Sequence, residues 1–152
     1  MTVIAVRDGC MAADSRGKTA SDVPYQCEKL FRIRGMLVGV CGDDKGTNRL
    51  IAFFRGGERN PEQWDCVDGS ALVLCPKRGL LHYDANARPD LVKEPFWAIG
   101  SGAPVALGAM ERGATAIEAV EAACRWNTDC GLPVVSMNLR SIRNGLKAKD
   151  PR

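Results

Sequence analysis

The first sixteen residues, 1-MTVIAVRDGCMAADSR-16, decide the fold of this chain. Two short apolar runs flank Asp8 and Gly9, and an Asp-Gly dipeptide between such runs favours a two-residue hairpin turn. We therefore expect the chain to begin as a tight antiparallel pair of strands that ties its N-terminus into a sheet. Thr2 follows Met1 directly, so it is either the first residue of a strand or a nucleophile that removal of Met1 exposes.

The composition is that of a globular protein with one domain. The 152 residues are 45% hydrophobic and 26% charged, and this length suits a single domain over residues 1–152. No apolar run approaches the roughly 18 residues that a membrane span requires, so we expect no membrane partner. Arg7 and Asp8 lie where the apolar region of a signal peptide would be, which favours a cytoplasmic location.

The cysteines and the histidine do not form a metal-binding pattern. None of the seven cysteines belongs to a CxxC pair, and His82 is the single histidine. We therefore expect no metal and no cofactor. Cys41 and Cys75 lie in apolar runs, which is typical of small buried thiols in a reducing compartment.

The basic residues are concentrated at the C-terminus. The net charge is +3, and residues 139–152 contain five basic residues and one acidic residue. No aromatic residue interrupts this segment. We therefore expect a basic tail over about 140–152 to be a solvated terminus rather than an arm that binds nucleic acid.

The remaining elements indicate an α+β fold built from hairpins and three helices. A second hairpin is expected around Arg34 and Gly35, and a strand-turn-strand unit around 76-PKRG-79. Further strands are predicted over 95–100 and 132–139, helices over 47–54, 101–113 and 115–126, and an irregular connection over 58–69. Hairpin strands with paired helices near the end favour a layered fold over alternating βαβ units.

The helix boundaries have recognisable sequence features. Gly56 ends the first helix, and Pro104 suits the first turn of the second. Thr115 and Glu118 form a capping box at the start of the third helix. An apolar stripe along the third helix is predicted at Ile117, Val120 and Cys124.

Four separated segments together resemble a known family. In order along the chain they are 12-AADSR-16, 29-KLFRI-33, 39-GVCGD-43 and 98-AIGSGAPVALGAM-110. They resemble the signature segments of proteasome β-subunits and of the bacterial relative HslV, and the match covers most of residues 2–138. The resemblance implies an N-terminal nucleophile (Ntn) hydrolase with a four-layer αββα sandwich. Because few residues are available between Gly57 and the next strand, the first helical layer is expected to be shortened.

The resemblance implies that Thr2 is the catalytic residue once Met1 is removed. A free α-amine has an unperturbed pKa near about 7.7–8, so it can accept the proton of its own hydroxyl at neutral pH. Lys29 matches the family's catalytic lysine, and Asp14 matches the aspartate that pairs with it. The alternative for these two residues is an ordinary ion pair on the surface. The stretch from Thr2 to Asp14 is about four residues shorter than in HslV, and an even number leaves both on their original faces.

Five further positions match the family's site by the same resemblance. Gly42 matches the glycine whose N–H stabilises the oxyanion, and Val40 would line a specificity pocket that takes apolar side chains. Ser101 matches the serine that orients the terminal amine, or it caps the following helix. Asn127 falls where the family has an aspartate, and Cys130 where it has a serine or threonine. Asn127 can still form hydrogen bonds in support of the site, but it carries no charge.

The sequence leaves three functions open. The first is a threonine-type peptidase that hydrolyses peptide bonds in peptide or unfolded-protein substrates. The second is a catalytically silent ring or interaction subunit that kept the fold, and the third is an amidase acting on a small molecule. The resemblance also implies a homo-oligomeric ring of six or more subunits and an ATPase unfoldase as a partner.

Overall fold

The computed structural model describes residues 2–56 and 68–139. Met1, most of the expected connection over 58–69 and the basic tail from residue 140 lie outside the described residues. The described helices are α1 (Asp44–Phe54), α2 (Ala103–Glu111) and α3 (Ala116–Trp126). The described strands are β1 (Ile4–Arg7), β2 (Cys10–Ala13), β3 (Arg16–Lys18), β4 (Pro24–Gln26), β5 (Leu30–Ile33), β6 (Met36–Gly42), β7 (Gly69–Cys75), β8 (Gly79–Tyr83), β9 (Pro89–Leu91), β10 (Phe96–Ile99) and β11 (Val135–Asn138).

Both predicted two-residue hairpins are confirmed. Asp8 and Gly9 have φ values of 52° and 76°, and Arg34 and Gly35 have 52° and 78°. Two positive φ values in succession define the type I′ turn, whose twist matches that of the flanking strands. The first hairpin joins β1 to β2, with Ile4 opposite Ala13, and the second joins β5 to β6.

The hairpins belong to two larger antiparallel sheets. The four-stranded sheet has the order β10-β1-β2-β11, and the five-stranded sheet has the order β5-β6-β7-β8-β9. Side chains alternate across β1: Ile4 packs between the two sheets, whereas Val3 and Ala5 pack toward the helices. On β6, Leu37 packs between the sheets and Val38 toward α1. Each central strand is therefore buried on both faces.

The helices cover the outer faces of the two sheets. Helices α2 and α3 pack on the four-stranded sheet, and α1 packs on β6 and β7 of the five-stranded sheet. The order of layers is therefore helix, sheet, sheet, helix, which confirms the predicted αββα arrangement. Within the described part of the chain, α1 is the helix of this layer; residues 57–67, on which the predicted shortening of the layer depends, lie outside the described residues.

Helix α3 has the predicted capping box and two of the three residues of the predicted apolar stripe. The Thr115 hydroxyl accepts a hydrogen bond from the Glu118 N–H, and the Glu118 carboxylate accepts one from the Thr115 N–H. The prediction for Ile117 was wrong, since its side chain is exposed, whereas Val120 is fully buried and Cys124 packs, partly buried, against the same core. The buried face is made mainly of alanines because α3 lies close against β1 and β2, which leaves no room for larger side chains.

Three short strands were not predicted from the sequence. Strands β3 and β4 form a two-stranded ribbon, and β9 adds an edge to the five-stranded sheet. The ribbon is largely exposed, so it has no hydrophobic alternation that the sequence could reveal. Its two strands are in contact through Gly17, where the Tyr25 ring occupies the space that a Cβ would need.

The six described cysteines are all free thiols. Cys41 and Cys130 are buried, and the others are partly exposed. The expectation of small buried thiols is therefore confirmed at Cys41, whereas Cys75 is partly exposed.

Candidate active site

Thr2 lies at the entrance to β1 and is only 4% exposed. Its nitrogen lies 3.2 Å from the Ser101 Oγ, to which it donates a hydrogen bond. Its carbonyl oxygen accepts a hydrogen bond of 3.1 Å from the Gly102 N–H. The turn between β10 and α2 therefore holds both backbone groups of Thr2.

Gly100 allows this turn to approach Thr2 closely. Its φ is +94°, and a Cβ at this position would overlap the Thr2 carbonyl group. A side chain at position 100 would therefore displace Thr2, the first described residue of the chain. This explains why a glycine precedes Ser101.

Asp14 and Lys29 form a buried ion pair next to Thr2. The Lys29 Nζ lies 2.8 Å from the Asp14 Oδ1, and the two side chains are 6% and 0% exposed. The alternative of an ordinary surface pair is therefore excluded. The Lys29 ammonium also donates to the Arg16 carbonyl oxygen at 2.6 Å.

Backbone N–H groups complete the surroundings of the Asp14 carboxylate. Its Oδ1 accepts from the Val3 N–H at 3.0 Å, and its Oδ2 accepts from the N–H groups of Arg16 and Gly131 at 3.2 and 3.0 Å. Each oxygen thus has two donors. Since a buried carboxylate requires such partners to offset its desolvation, Asp14 ties β1, β3 and the loop before β11 to the position of Lys29.

Lys29 of this pair lines a cleft of about 660 Å³. Thr2, Lys29, Val40 and Gly42 all line it, so the structure brings together four of the residues selected from the sequence. Val40 is 3% exposed and contributes to the core under α1 as well as to the cleft. The volume is within the range of pockets that hold small molecules or short peptide segments.

Gly42 ends β6 with a conformation that other residues rarely adopt. Its φ is +133°, and a Cβ would lie 2.5 Å from the Asp68 carbonyl oxygen. The turn then leads into α1, whose first turn is capped by Asp43 through a 2.6 Å hydrogen bond from the Gly46 N–H. The glycine therefore permits both the strand-to-helix turn and the proximity of this backbone to the cleft.

Ser101 is also fixed from the side of the loop after α3. The Asn127 Nδ2 donates to the Ser101 carbonyl oxygen at 2.9 Å, and the Asn127 Oδ1 accepts from the Asp129 N–H at 2.9 Å. Gly102, not Ser101, is the N-cap of α2, and no side chain caps this helix. The alternative role of Ser101 as a helix cap is therefore wrong.

Cys130 is a buried neutral thiol behind Ser101. Burial, together with the nearby Asp14 carboxylate, raises the pKa of the Cys130 thiol from 9.0 to about 11. The thiolate, which is the nucleophilic form, is therefore scarce at neutral pH. Cys130 and Asn127 are both close to Ser101, but neither lines the cleft.

Sequence analysis missed two residues of this site. The Arg16 carbonyl oxygen and the Gly131 N–H bind the Lys29–Asp14 pair through their backbones. Backbone contacts carry no residue-type signature, so the sequence offered no indication of them. Gly131 also lacks room for a side chain, because the Arg16 guanidinium occupies the position of its Cβ.

Two classes of feature are absent from the described residues. Across 2–56 and 68–139, no three His, Cys, Asp or Glu side chains are arranged to hold a metal ion. None of the helices in the same ranges is both long enough and apolar enough to cross a membrane.

The fold is that of several solved structures. BPH from Thiobacillus denitrificans in complex with epoxomicin is similar with a TM-score of 0.69 and 22% identity, over 91% of this chain and 98% of that one. A second structure of Thiobacillus denitrificans BPH has a TM-score of 0.66 and 22% identity, over 91% of this chain and 97% of that one. Eukaryotic HslV from Trypanosoma brucei has a TM-score of 0.64 and 16% identity, over 90% and 98%.

Sequence comparisons find no such similarity. No protein-family model matches the chain, and no curated protein matches it significantly. The predicted resemblance to proteasome β-subunits and HslV is confirmed at the level of the fold by the structural comparisons.

Proposed function

We propose that this chain is a threonine-type peptidase, an Ntn hydrolase of the proteasome and HslV kind, in which Thr2 attacks peptide bonds after Met1 is removed. The observation that carries the proposal is the buried Asp14–Lys29 pair, whose lysine lines the same cleft as Thr2. A buried ion pair is a weak source of stability, so a location next to a hydroxyl nucleophile favours a chemical role.

The first step is attack by the Thr2 hydroxyl. The amine that Met1 removal exposes takes the hydroxyl proton while Oγ1 forms a bond to the carbonyl carbon of the substrate. With Met1 in place this nitrogen is an amide and cannot act as a base. The nearby Lys29 charge lowers the cost of negative charge on Oγ1, and Asp14 holds the ammonium in place.

The second step is breakdown of the tetrahedral intermediate. The Gly42 N–H is the proposed donor to the oxyanion, a contribution of about 3 kcal/mol in comparable sites. The protonated Thr2 amine gives its proton to the leaving amine as the C–N bond breaks, which leaves an ester on Oγ1. Water, deprotonated by the same amine, then hydrolyses the ester and restores Thr2.

Ser101 is the proposed positioning residue for the Thr2 amine. The 3.2 Å hydrogen bond from the Thr2 nitrogen to the Ser101 Oγ supports this role. Asn127 supports it in turn by holding the Ser101 carbonyl group, and Cys130 fills the space behind it as an uncharged neighbour.

The alternative is a silent subunit that kept the fold. It follows if Met1 is retained, because the acylated Thr2 nitrogen leaves the hydroxyl without its base. The intact mass of the purified protein distinguishes the two: loss of one methionine residue supports the peptidase, and a retained one supports the silent subunit.

The nucleophile is tested by replacing Thr2 in protein whose Met1 has been removed. Thr2→Ala should abolish cleavage of short peptide amides, and Thr2→Ser should retain part of the rate, because serine keeps the hydroxyl and the amine. Thr128→Ala is the matched control, since Thr128 is exposed outside the cleft. Circular dichroism and thermal unfolding establish that each variant is folded. Activity that survives Thr2→Ala in such protein would place the nucleophile elsewhere.

A ring assembly is proposed with this function. An open peptide-binding cleft would endanger other proteins, so an active form should be enclosed by neighbouring copies. Helix α2 supports the idea, because only Ala106 and Met110 are fully buried while Val105 and Leu107 remain partly exposed. We expect a homo-oligomer of six or more subunits by light scattering, with an ATPase unfoldase delivering unfolded protein. A monomer over a wide concentration range would contradict this.

A further inference from the structure

The charge distribution of the cleft carries an inference about its substrate, which rests on the proposed peptidase function. We propose that the cleft beside Thr2 selects a peptide whose residue on the acyl side of the cleaved bond has an aliphatic stem and a cationic end, namely arginine or lysine. Thr2 and Lys29 define the site itself. The carboxylates discussed below determine only which side chain its walls accept.

Part of the cleft lining is apolar. Phe31, Val40 and Ile51 line it, and Val40 is almost completely buried. These side chains suit the methylene groups of a long substrate residue, which arginine and lysine bury readily while their charged ends stay solvated. The sequence predicts from Val40 a pocket that takes apolar side chains; the present proposal keeps the apolar contact for the stem of the substrate residue and adds a cationic end.

Among the charged residues that line the cleft, the acidic ones outnumber the basic ones. Four carboxylates line the cleft, those of Glu28, Asp43, Asp44 and Asp68. Two cations, Lys18 and Lys29, line it as well. Each cation is bound by a carboxylate outside the lining, Lys18 by Asp129 at 2.9 Å and Lys29 by Asp14 at 2.8 Å. The four lining carboxylates are therefore not neutralised from within the cleft.

Three of these carboxylates have no cationic partner in the part of the chain described. Asp43 accepts the capping hydrogen bond of α1, whereas no salt bridge to Glu28, Asp44 or Asp68 occurs within 2–56 and 68–139. The N-terminus of α1 carries only about half a positive charge. That is too little to offset Asp43 and Asp44 together, so the lining keeps a net negative charge.

Asp44 faces the cleft from the first residue of α1. Its carboxylate is the main reason why the pKa of the Tyr25 hydroxyl, on the opposite ribbon, is raised. Burial is the main cause of the raised pKa of the Cys27 thiol, and the carboxylates of Asp14 and, more weakly, Asp44 add to this effect. Two cleft residues on other elements thus experience the Asp44 charge, as the cationic end of a substrate would.

Three substrates of one series test the proposal: N-acetyl-Ala-Ala-X-aminomethylcoumarin, where X is arginine, citrulline or leucine. Citrulline has nearly the length and shape of arginine without its charge, so this pair isolates the electrostatic contribution. We expect kcat/KM to be about tenfold higher for arginine than for citrulline, and the ratio to fall as added salt screens the carboxylates. Equal rates for arginine and citrulline would overturn the proposal.

The variant Asp44→Asn tests the residue. We expect it to reduce the arginine-to-citrulline ratio several-fold, mainly through KM, while the citrulline and leucine rates stay within about twofold. Asp90→Asn is the matched control, because Asp90 is an exposed carboxylate on β9, outside the cleft. An equal effect of the two substitutions on the ratio would assign the preference to overall charge and overturn the role of the cleft.

Binding to the Thr2→Ala variant separates this inference from the proposed function. The probes are dye-labelled Ala-Ala-X-amides with arginine or citrulline, measured by fluorescence polarisation. If wild-type protein cleaves no peptide, the peptidase proposal fails, and tighter binding of the arginine amide still supports a cation-selective cleft. Equal binding of the two amides overturns the inference, whatever the outcome of the cleavage assay.

Discussion

Two lysine–aspartate pairs of nearly equal length lie beside the same cleft. Lys29 and Asp14 are 2.8 Å apart with side chains 6% and 0% exposed, and Lys18 and Asp129 are 2.9 Å apart with side chains 20% and 30% exposed. The first pair is enclosed by backbone donors and an acceptor, whereas no further partner of Lys18 is found among residues 2–56 and 68–139. We call the first the buried pair and the second the partly exposed pair.

The comparison shows that the distance between two charges does not determine their importance. The buried pair is desolvated, so removing one partner leaves a buried charge without compensation. In the partly exposed pair, water can replace either partner at little cost. Substitutions in the buried pair should therefore affect both stability and activity, and substitutions in the partly exposed pair should affect neither.

The largest expected effect follows from Lys29→Met compared with Lys18→Met. We expect Lys29→Met to reduce the free energy of unfolding by about 3–5 kcal/mol, because Asp14 remains buried and charged. It should also reduce peptide cleavage by at least about a hundredfold. Lys18→Met should cost about 0–1 kcal/mol and leave cleavage nearly unchanged. Urea unfolding and peptide kinetics measure both quantities.

A double variant separates the effect of the buried pair on stability from its effect on catalytic activity. Lys29→Met combined with Asp14→Asn removes both charges, so we expect part of the lost stability to return without any return of activity. Similar losses of stability and activity for Lys29→Met and Lys18→Met would contradict the distinction between the buried pair and the partly exposed pair.

A smaller effect is expected from Gly42→Ala compared with Gly79→Ala. Both glycines have positive φ values, but a Cβ at Gly42 would meet the Asp68 carbonyl oxygen, whereas nothing lies within 4 Å of one at Gly79. We expect about 3 kcal/mol of destabilisation at Gly42 and about 1 kcal/mol at Gly79, with loss of cleavage only at Gly42. Thermal unfolding and kcat measure these effects, and equal losses would show that the strand-to-helix turn tolerates a side chain.

The smallest effect concerns the pH dependence of stability that Cys130, close to the buried pair, introduces. Burial and then the Asp14 carboxylate raise the pKa of the folded thiol to about 11. An unfolded chain releases this proton at lower pH, so the contribution is present below about pH 9 and is lost as the pH rises toward 11. Wild-type protein should therefore lose stability relative to Cys130→Ala over this interval. Parallel curves for the two proteins would show that the Cys130 pKa is not raised.

Local patterns predicted most of the fold because local physics forms those elements. The Asp8-Gly9 and Arg34-Gly35 turns and the capping box of Thr115 each depend on residues close in sequence. The exposed ribbon of β3 and β4 escaped prediction, since it has no buried face to impose a pattern. Ile117 was misplaced because a helical period identifies a face without identifying what the sheet beneath can accommodate.

The sequence by itself determined the hairpins, the helices and, through the resemblance, the candidate residues Thr2, Asp14, Lys29, Gly42 and Ser101. Only the tertiary structure decided that Asp14 and Lys29 are buried together, because their surroundings include the backbone of Gly131, which is distant in sequence, as well as that of Arg16. It likewise brought Asp44 and Glu28 to one cleft with Val40. The physical reason is that desolvation and the potential of a cleft are sums over neighbours in space, which no local pattern encodes.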